Sequence, residues 1–207
     1  MRVFARRLWG LLFGGLSLLS TAESAVPDEW HAAICQFQQQ PPQAQLQAVN
    51  QWVDVRVGYV LDTDSQWHTP FQTLETHTGD CKDYAFTKYA LLLASGWPVD
   101  RLRLGYGRTA AFGAPQAHLV VLAFLEGDPD PLVLDNLGDA ILRLSKRSDF
   151  ELVFSFNEQD VYSGSEARPM HPKRPFPRWD DLRERMRESG ALDMPAPAGV
   201  APNCPKP

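Results

Sequence analysis

The sequence is poor in cysteine, with three among 207 residues. That count excludes a disulfide-dense miniprotein. In an oxidising compartment it permits one intramolecular bridge and leaves one thiol over. Positive charge is also short: 20 Lys and Arg stand against 25 Asp and Glu, for a net charge of −5. The broad basic face of a nucleic-acid binder is therefore missing. Beyond residue 25 no apolar run approaches the ~20 residues a membrane-spanning helix needs. There is no internal repeat and no collagen-like period. At 44% hydrophobic and 22% charged, the composition is that of a globular chain, long enough for one domain with a sizeable core.

What is present begins with an address. Arg2, Arg6 and Arg7 precede an uncharged run from Leu8 to Leu19, followed by small residues at Ser20-Thr21-Ala22. Residues 1–25 read as a secretory signal peptide, too short in its apolar part to serve as a span. Cleavage after Ala22 removes three arginines and takes the net charge from −5 to −8. The expected mature protein is acidic, periplasmic and without an integral membrane segment.

Along the rest of the chain, Trp30, Ile34 and Phe37, then Leu46, Val49, Trp52 and Val53, recur at helical spacing and predict two short helices. The polar stretch from Leu61 to Thr78 reads as a loop, and a helix is predicted from Cys81 to Ser95. β-like segments follow at Arg101–Tyr106, Leu119–Leu125, Pro131–Leu134, Ala140–Leu144 and Leu152–Phe156, separated by turn signals such as Gly127-Asp128-Pro129. Nine of the 17 prolines fall in 168–207, so this C-terminal extension cannot join a central sheet. One short helix, about Arg178–Ser189, and a Pro/Ala tail are expected there. Helices followed by an antiparallel run of strands predict an α+β fold.

The segment Gly79-Asp80-Cys81-Lys82-Asp83 carries the clearest chemistry. Asp80 is suited to the N-cap, and Asp83 three residues later completes a capping box. Cys81 then occupies the first helical position, where unpaired N–H groups and the helix dipole favour a thiolate, the nucleophilic form. The flanking Asp80 and Asp83 oppose that ionisation. The alternative reading is a small buried cysteine.

His118 and Asp135 flank a predicted hairpin. A two-residue turn at Glu126-Gly127 sets His118 opposite Asp135, whereas pairing Leu125 with Leu132 sets Asp135 opposite Leu122. Side chains alternate along a strand, so both registers put His118 and Asp135 on one side. A carboxylate there fixes the imidazole tautomer and favours the protonated ring. Taken singly, His118 also reads as an ordinary strand histidine and Asp135 as a turn residue. His31, His68, His77 and His171 read as surface residues. Cys81, His118 and Asp135 have the chain order of a thiol hydrolase. In such an enzyme the Cys81 backbone N–H and a second donor, for which Trp67 and Asn50 are candidates, would hold the oxyanion.

Five ordered motifs strengthen this reading: Trp67-His68-Thr69-Pro70, Gly79-Asp80-Cys81-Lys82-Asp83-Tyr84-Ala85, Gln116-Ala117-His118-Leu119-Val120, Leu134-Asp135-Asn136-Leu137, and Arg147-Ser148-Asp149-Phe150 followed by Val153 to Asn157. Together, from Val49 to Tyr162, they resemble the bacterial transglutaminase-like cysteine proteinases, in particular the LapG type of periplasmic protease. The resemblance implies a papain-like, transglutaminase-like core over residues 26–167. It implies Cys81 as nucleophile, His118 as general base and acid, and Asp135 orienting it. As substrate it implies the N-terminal region of a large surface adhesin, cut near a pair of alanines, whose release disperses biofilm. As partner it implies an inner-membrane receptor that sequesters the protease in response to cyclic di-GMP. Calcium is the one cofactor implied, held by acids flanking the nucleophile in a Gly-Asp-Cys-Glu-Asp pattern. Here Asp80 and Asp83 match, but Lys82 replaces the middle acid, removing a ligand and adding a repelling charge. The alternative is that both aspartates simply cap the helix.

The remaining thiols, Cys35 and Cys204, either pair in an oxidising compartment, tying the tail to the first helix, or stand unrelated. Two further readings use the same residues: an acyltransferase or deamidase with the same triad, and a non-catalytic periplasmic binding module.

Overall fold

Pro27 and Pro41-Pro42 set the starts of the first two helices, α1 (Asp28–Phe37) and α2 (Pro42–Asp54). Proline is tolerated there because the first-turn N–H groups have no intrahelical acceptor. Their apolar stripes, Trp30, Ala33, Ile34 and Phe37 with Leu46, Val49 and Val53, are buried in the main core. The computed structural model describes residues 26–61, 66–111, 113–170, 176–192 and 204. The predicted signal peptide and the Pro/Ala tail, apart from Cys204, lie outside the described residues.

The stretch expected to be a loop is not wholly irregular. It contains α3 (Pro70–Thr76), closed by a capping box in which Thr69 and Gln72 bond each other's backbone N–H groups, with proline at the first turn. The Thr69-Pro70-x-Gln72 pattern is a helix-start signal that the polar composition around it obscures. Two-residue strands on either side, β1 (Gly58–Tyr59) and β2 (Thr78–Gly79), pair in parallel.

Next comes α4 (Cys81–Ala94), whose residues from Asp83 to Ala94 are all buried. A helix covered on every side is a central element rather than a surface one. One side meets the sheet, and α1, α2, α3 and a C-terminal helix cover the others. The sheet comprises β3 (Leu102–Thr109), β4 (Gln116–Ala123), β5 (Leu132–Leu134), β6 (Leu142–Arg143), β7 (Phe150–Phe156) and β8 (Val161–Ser163). Its order is β6-β5-β4-β3-β7-β8, with every pair antiparallel. The architecture is therefore α+β, as the order of elements predicts. Alternation divides the strands: Leu119, Val121 and Ala123 join the core around α4, while Val120, Leu122 and Val133 form a smaller cluster with Phe150.

The C-terminal extension contributes α5 (Pro177–Glu188). Its Trp179, Leu182 and Met186 belong to the main core, with Trp179 against Phe86, Tyr89 and Phe156. Cys204 is disulfide-bonded to Cys35 of α1, with the two Cα atoms 5.4 Å apart in space and a sequence separation of 169. Closing so long a loop restricts the unfolded chain. Cys35→Ser with Cys204→Ser is expected to cost about 2–4 kcal/mol of stability, read by urea unfolding, while the accessible Cys81 retains its reactivity toward an alkylating reagent.

Candidate active site

The site is organised by the start of α4. Asp80 has extended backbone and accepts the Lys82 N–H at Oδ1 (3.0 Å), while Asp83 Oδ2 accepts the Asp80 N–H (2.9 Å). This is the predicted capping box, and it puts Cys81 at the first helical position. Gly79 is dictated by the same geometry: a Cβ there would stand 2.6 Å from the Asp83 Cβ. Gly79→Ala is therefore expected to lower stability by about 1–3 kcal/mol by forcing the cap apart, measured by denaturant unfolding. The β1/β2 pair fixes the approach to this turn, with the Val60 N–H donating to the Gly79 carbonyl at 2.9 Å.

His118 is the third residue of β4, on the alternation of Val120 and Leu122, edge-on to Phe150 at 6.0 Å. β4 and β5 pair Val121 with Leu134 and Ala123 with Leu132. Continuing that ladder puts Asp135 opposite Val120, between the two partners the hairpin arithmetic allowed. The exact register differs from both expectations, but the parity is the same, and parity decides the side. His118 Nε2 lies 2.7 Å from Asp135 Oδ1, both residues nearly fully buried. The imidazole is also hydrogen-bonded to the Cys81 side chain, for which Nδ1 remains. The three residues thus converge as a Cys-His-Asp constellation.

Their electrostatics follow from the contacts. Burial works against a charged imidazole at His118, but the hydrogen bonds to Asp135 and Cys81 and the negative charge of Asp135 outweigh it and raise its pKa to about 9. Burial likewise opposes the Asp135 carboxylate, but His118 and Arg147 together hold its pKa down at about 2.

Four residues with no role assigned from the sequence complete the surroundings. Arg147 donates from Nη2 to Asp135 Oδ2 at 2.7 Å and is itself held by Asp149 at 2.8 and 2.9 Å. Lys88 of α4, 1% exposed, stands 2.6 Å from Asp54 Oδ1 and donates to the Asp135 backbone carbonyl at 3.0 Å. Burial lowers the Lys88 pKa against the pull of Asp54, and burial raises that of Asp54. A lysine within the apolar run Tyr84–Leu93 was the available signal, because a buried lysine requires a partner. Arg147 lay in a recognised motif, but nothing local connects it to Asp135.

Cys81 and His118 open onto a cleft of about 600 Å³ walled by Tyr59, Trp67, Tyr106, Phe154, Phe156 and Phe176. Trp67 packs on Phe86 and Phe176, and its carbonyl accepts Arg185 of α5 at 2.7 Å. Asn50, the other oxyanion candidate, does not line the cleft. It is buried in α2, and its amide donates to Asp54 Oδ2 at 2.9 Å. That donor is committed to the Asp54–Lys88 pair, so the assignment of Asn50 to an oxyanion is corrected. His68, expected at the surface, is only partly exposed, with Nδ1 3.8 Å from the buried Asp83 Oδ1.

Residues 24–162 match the family model described as bacterial transglutaminase-like cysteine proteinase BTLCP. The chain belongs to that family. Its fold is similar to that of LapG from Legionella pneumophila. Against the calcium-bound structure the proteinase has a TM-score of 0.69 at 31% identity, over 76% of this chain and 87% of that one. Against the EGTA-treated structure the TM-score is 0.68 at 32% identity, over 76% and 86%. No functionally curated protein matches the chain. The proteinase is thus a cysteine proteinase of the LapG type, and among its described residues no helix is long and apolar enough to cross a membrane.

Proposed function

We propose that the proteinase is an exported endopeptidase that cuts the N-terminal region of a large surface adhesin, using Cys81, His118 and Asp135 as its catalytic triad. The observation that carries this reading is the hydrogen-bonded chain from Cys81 through His118 to Asp135 at the floor of an aromatic cleft. Cys81 Sγ attacks a backbone carbonyl, forming a C–S bond. The oxyanion meets the Cys81 N–H, which at the first helical position has no intrahelical acceptor. Trp67 is the remaining candidate for a second donor. His118 gives its proton to the leaving amine as the C–N bond breaks. It then takes a proton from water, whose oxygen displaces sulfur from the thioester. Asp135 holds the ring, and Arg147 holds Asp135.

The export signal, the acidic mature chain and the likeness to LapG support a periplasmic setting. There, adhesin release disperses biofilm, and an inner-membrane receptor for cyclic di-GMP withholds the protease. The test is incubation of the purified protein with an adhesin N-terminal fragment, followed by mass analysis beside a Cys81→Ser control. Two complementary fragments with wild type and none with the control are expected. An intact chain carrying an isopeptide or a deamidated side chain would instead mark an acyltransferase or deamidase.

The calcium implied for Asp80 and Asp83 meets a poor fit. Among the described residues no group of three or more His, Cys, Asp or Glu can hold a metal ion. The Lys82 ammonium stands 2.9 Å from Asp80 Oδ2 and 3.6 Å from Asp83 Oδ2. No step of the mechanism is routed through a metal.

A further inference from the structure

Asp80 and Asp83 bring two carboxylates to the start of the helix that carries Cys81, one immediately before it and one two residues after. Both are almost completely buried, at 8% and 0% exposure. Two buried anions beside a nucleophile that must itself become an anion need a compensating cation. The structure supplies one from the chain: the Lys82 ammonium bridges Asp80 Oδ2 and Asp83 Oδ2. We propose that Lys82 is a tethered replacement for calcium, which offsets part of the negative charge of the Asp80/Asp83 cap and makes this proteinase independent of the ion found on its Legionella relative.

The oxygen inventory supports the exchange. Calcium takes six to eight oxygen ligands at about 2.3–2.6 Å. Of the four carboxylate oxygens here, Asp80 Oδ1 accepts the Lys82 N–H, Asp80 Oδ2 accepts the Lys82 ammonium, and Asp83 Oδ2 accepts the Asp80 N–H. The fourth, Asp83 Oδ1, has no hydrogen-bond partner but is sealed at zero exposure behind His68. A calcium ion entering this place would have to displace an ammonium already paired to both carboxylates. It would then meet two carboxylates with no third acidic, histidine or cysteine ligand grouped beside them among the described residues. A lysine gives up the choice of ligand number but cannot be chelated away. Lys82 acts through the cap rather than on substrate, so it is a positioning residue.

Two experiments test this. The first does not depend on the activity reading: calcium is titrated into the purified protein by calorimetry, and melting is compared in calcium and in EGTA. No saturable heat and a melting temperature equal to within about 1 °C are expected. A saturable site with a rise of roughly 5 °C or more overturns the proposal. The second experiment rests on the proposed cleavage and compares variants. Wild type should cleave equally, within about twofold, in calcium and in EGTA. Lys82→Met should lose about tenfold or more in kcat in both, with Lys82→Arg recovering most of it. Lys82→Glu should acquire calcium-dependent melting and EGTA-sensitive cleavage. Wild-type cleavage that EGTA abolishes, or a Lys82→Met variant as active as wild type, overturns the proposal.

Discussion

Replacing Cys81 by alanine is expected to abolish the proposed adhesin cleavage, lowering kcat by at least roughly four orders of magnitude, while the protein stays folded. The two halves of this expectation have separate causes. Cys81 is the one cysteine outside the Cys35–Cys204 disulfide, and its side chain is hydrogen-bonded to the imidazole of His118. The helix start does not depend on that sulfur. The cap is made by Asp80 and Asp83 through their side chains and the backbone, and Cys81 is only partly buried. Removing one partly exposed Sγ costs little stability, within about 1 kcal/mol. Thermal melting and circular dichroism are expected to match wild type, and gel analysis of the substrate to show no fragments. Cleavage retained by a folded Cys81→Ala protein would remove the proposed mechanism.

Replacing Asp135 by asparagine is expected to cut kcat by roughly a thousandfold and to move the alkaline limb of the pH profile downward. In the proposed mechanism His118 must be protonated to deliver its proton to the leaving amine. In the native site its pKa is raised from 6.5 to about 9, so wild-type cleavage should persist as pH rises and fall away near 9. Asparagine removes the carboxylate charge but leaves the burial, which by itself lowers the pKa. With only Cys81 left to raise it against burial, the limb then retreats toward lower pH. A fall in kcat without a shift of the limb would mean that Asp135 only shapes the site.

The same pair makes a stability statement with a defined sign. The raised pKa of His118 means its contribution is full below about 6.5 and is lost as pH rises through about 9. The depressed pKa of Asp135 means its contribution is full above 3.8 and is lost as pH falls through about 2. These are the two edges of one interaction. Urea unfolding across pH should show its contribution greatest between about 4 and 6.5 and absent from Asp135→Asn.

Some of this protein was decided by sequence alone, because the deciding interactions lie within a few residues. Asp80 and Asp83 cap α4 three positions apart, and that cap puts Cys81 at its first position. The strand alternation places His118 and Asp135 on one side in any register of the right parity, so the arithmetic survives a register that differs from both candidates. Helices before an antiparallel run of strands are enough for α+β. Other features belong to tertiary structure because their partners are far apart in the chain. Nothing near Arg147 says that it holds Asp135, and nothing near Lys88 says that it will meet Asp54 and the Asp135 carbonyl. Asn50 has the right chemistry for an oxyanion donor, and its bond to Asp54 is local to α2, but only the fold shows that it is buried away from the cleft. The helix carrying Trp179 reads as amphipathic in sequence. Only the fold shows that it fills the core beside Phe86 and Phe156. Even Lys82, adjacent to the nucleophile, needed three dimensions. Its sequence position shows that an acid is missing, whereas the direction of its side chain shows that the acids beside it already have their cation.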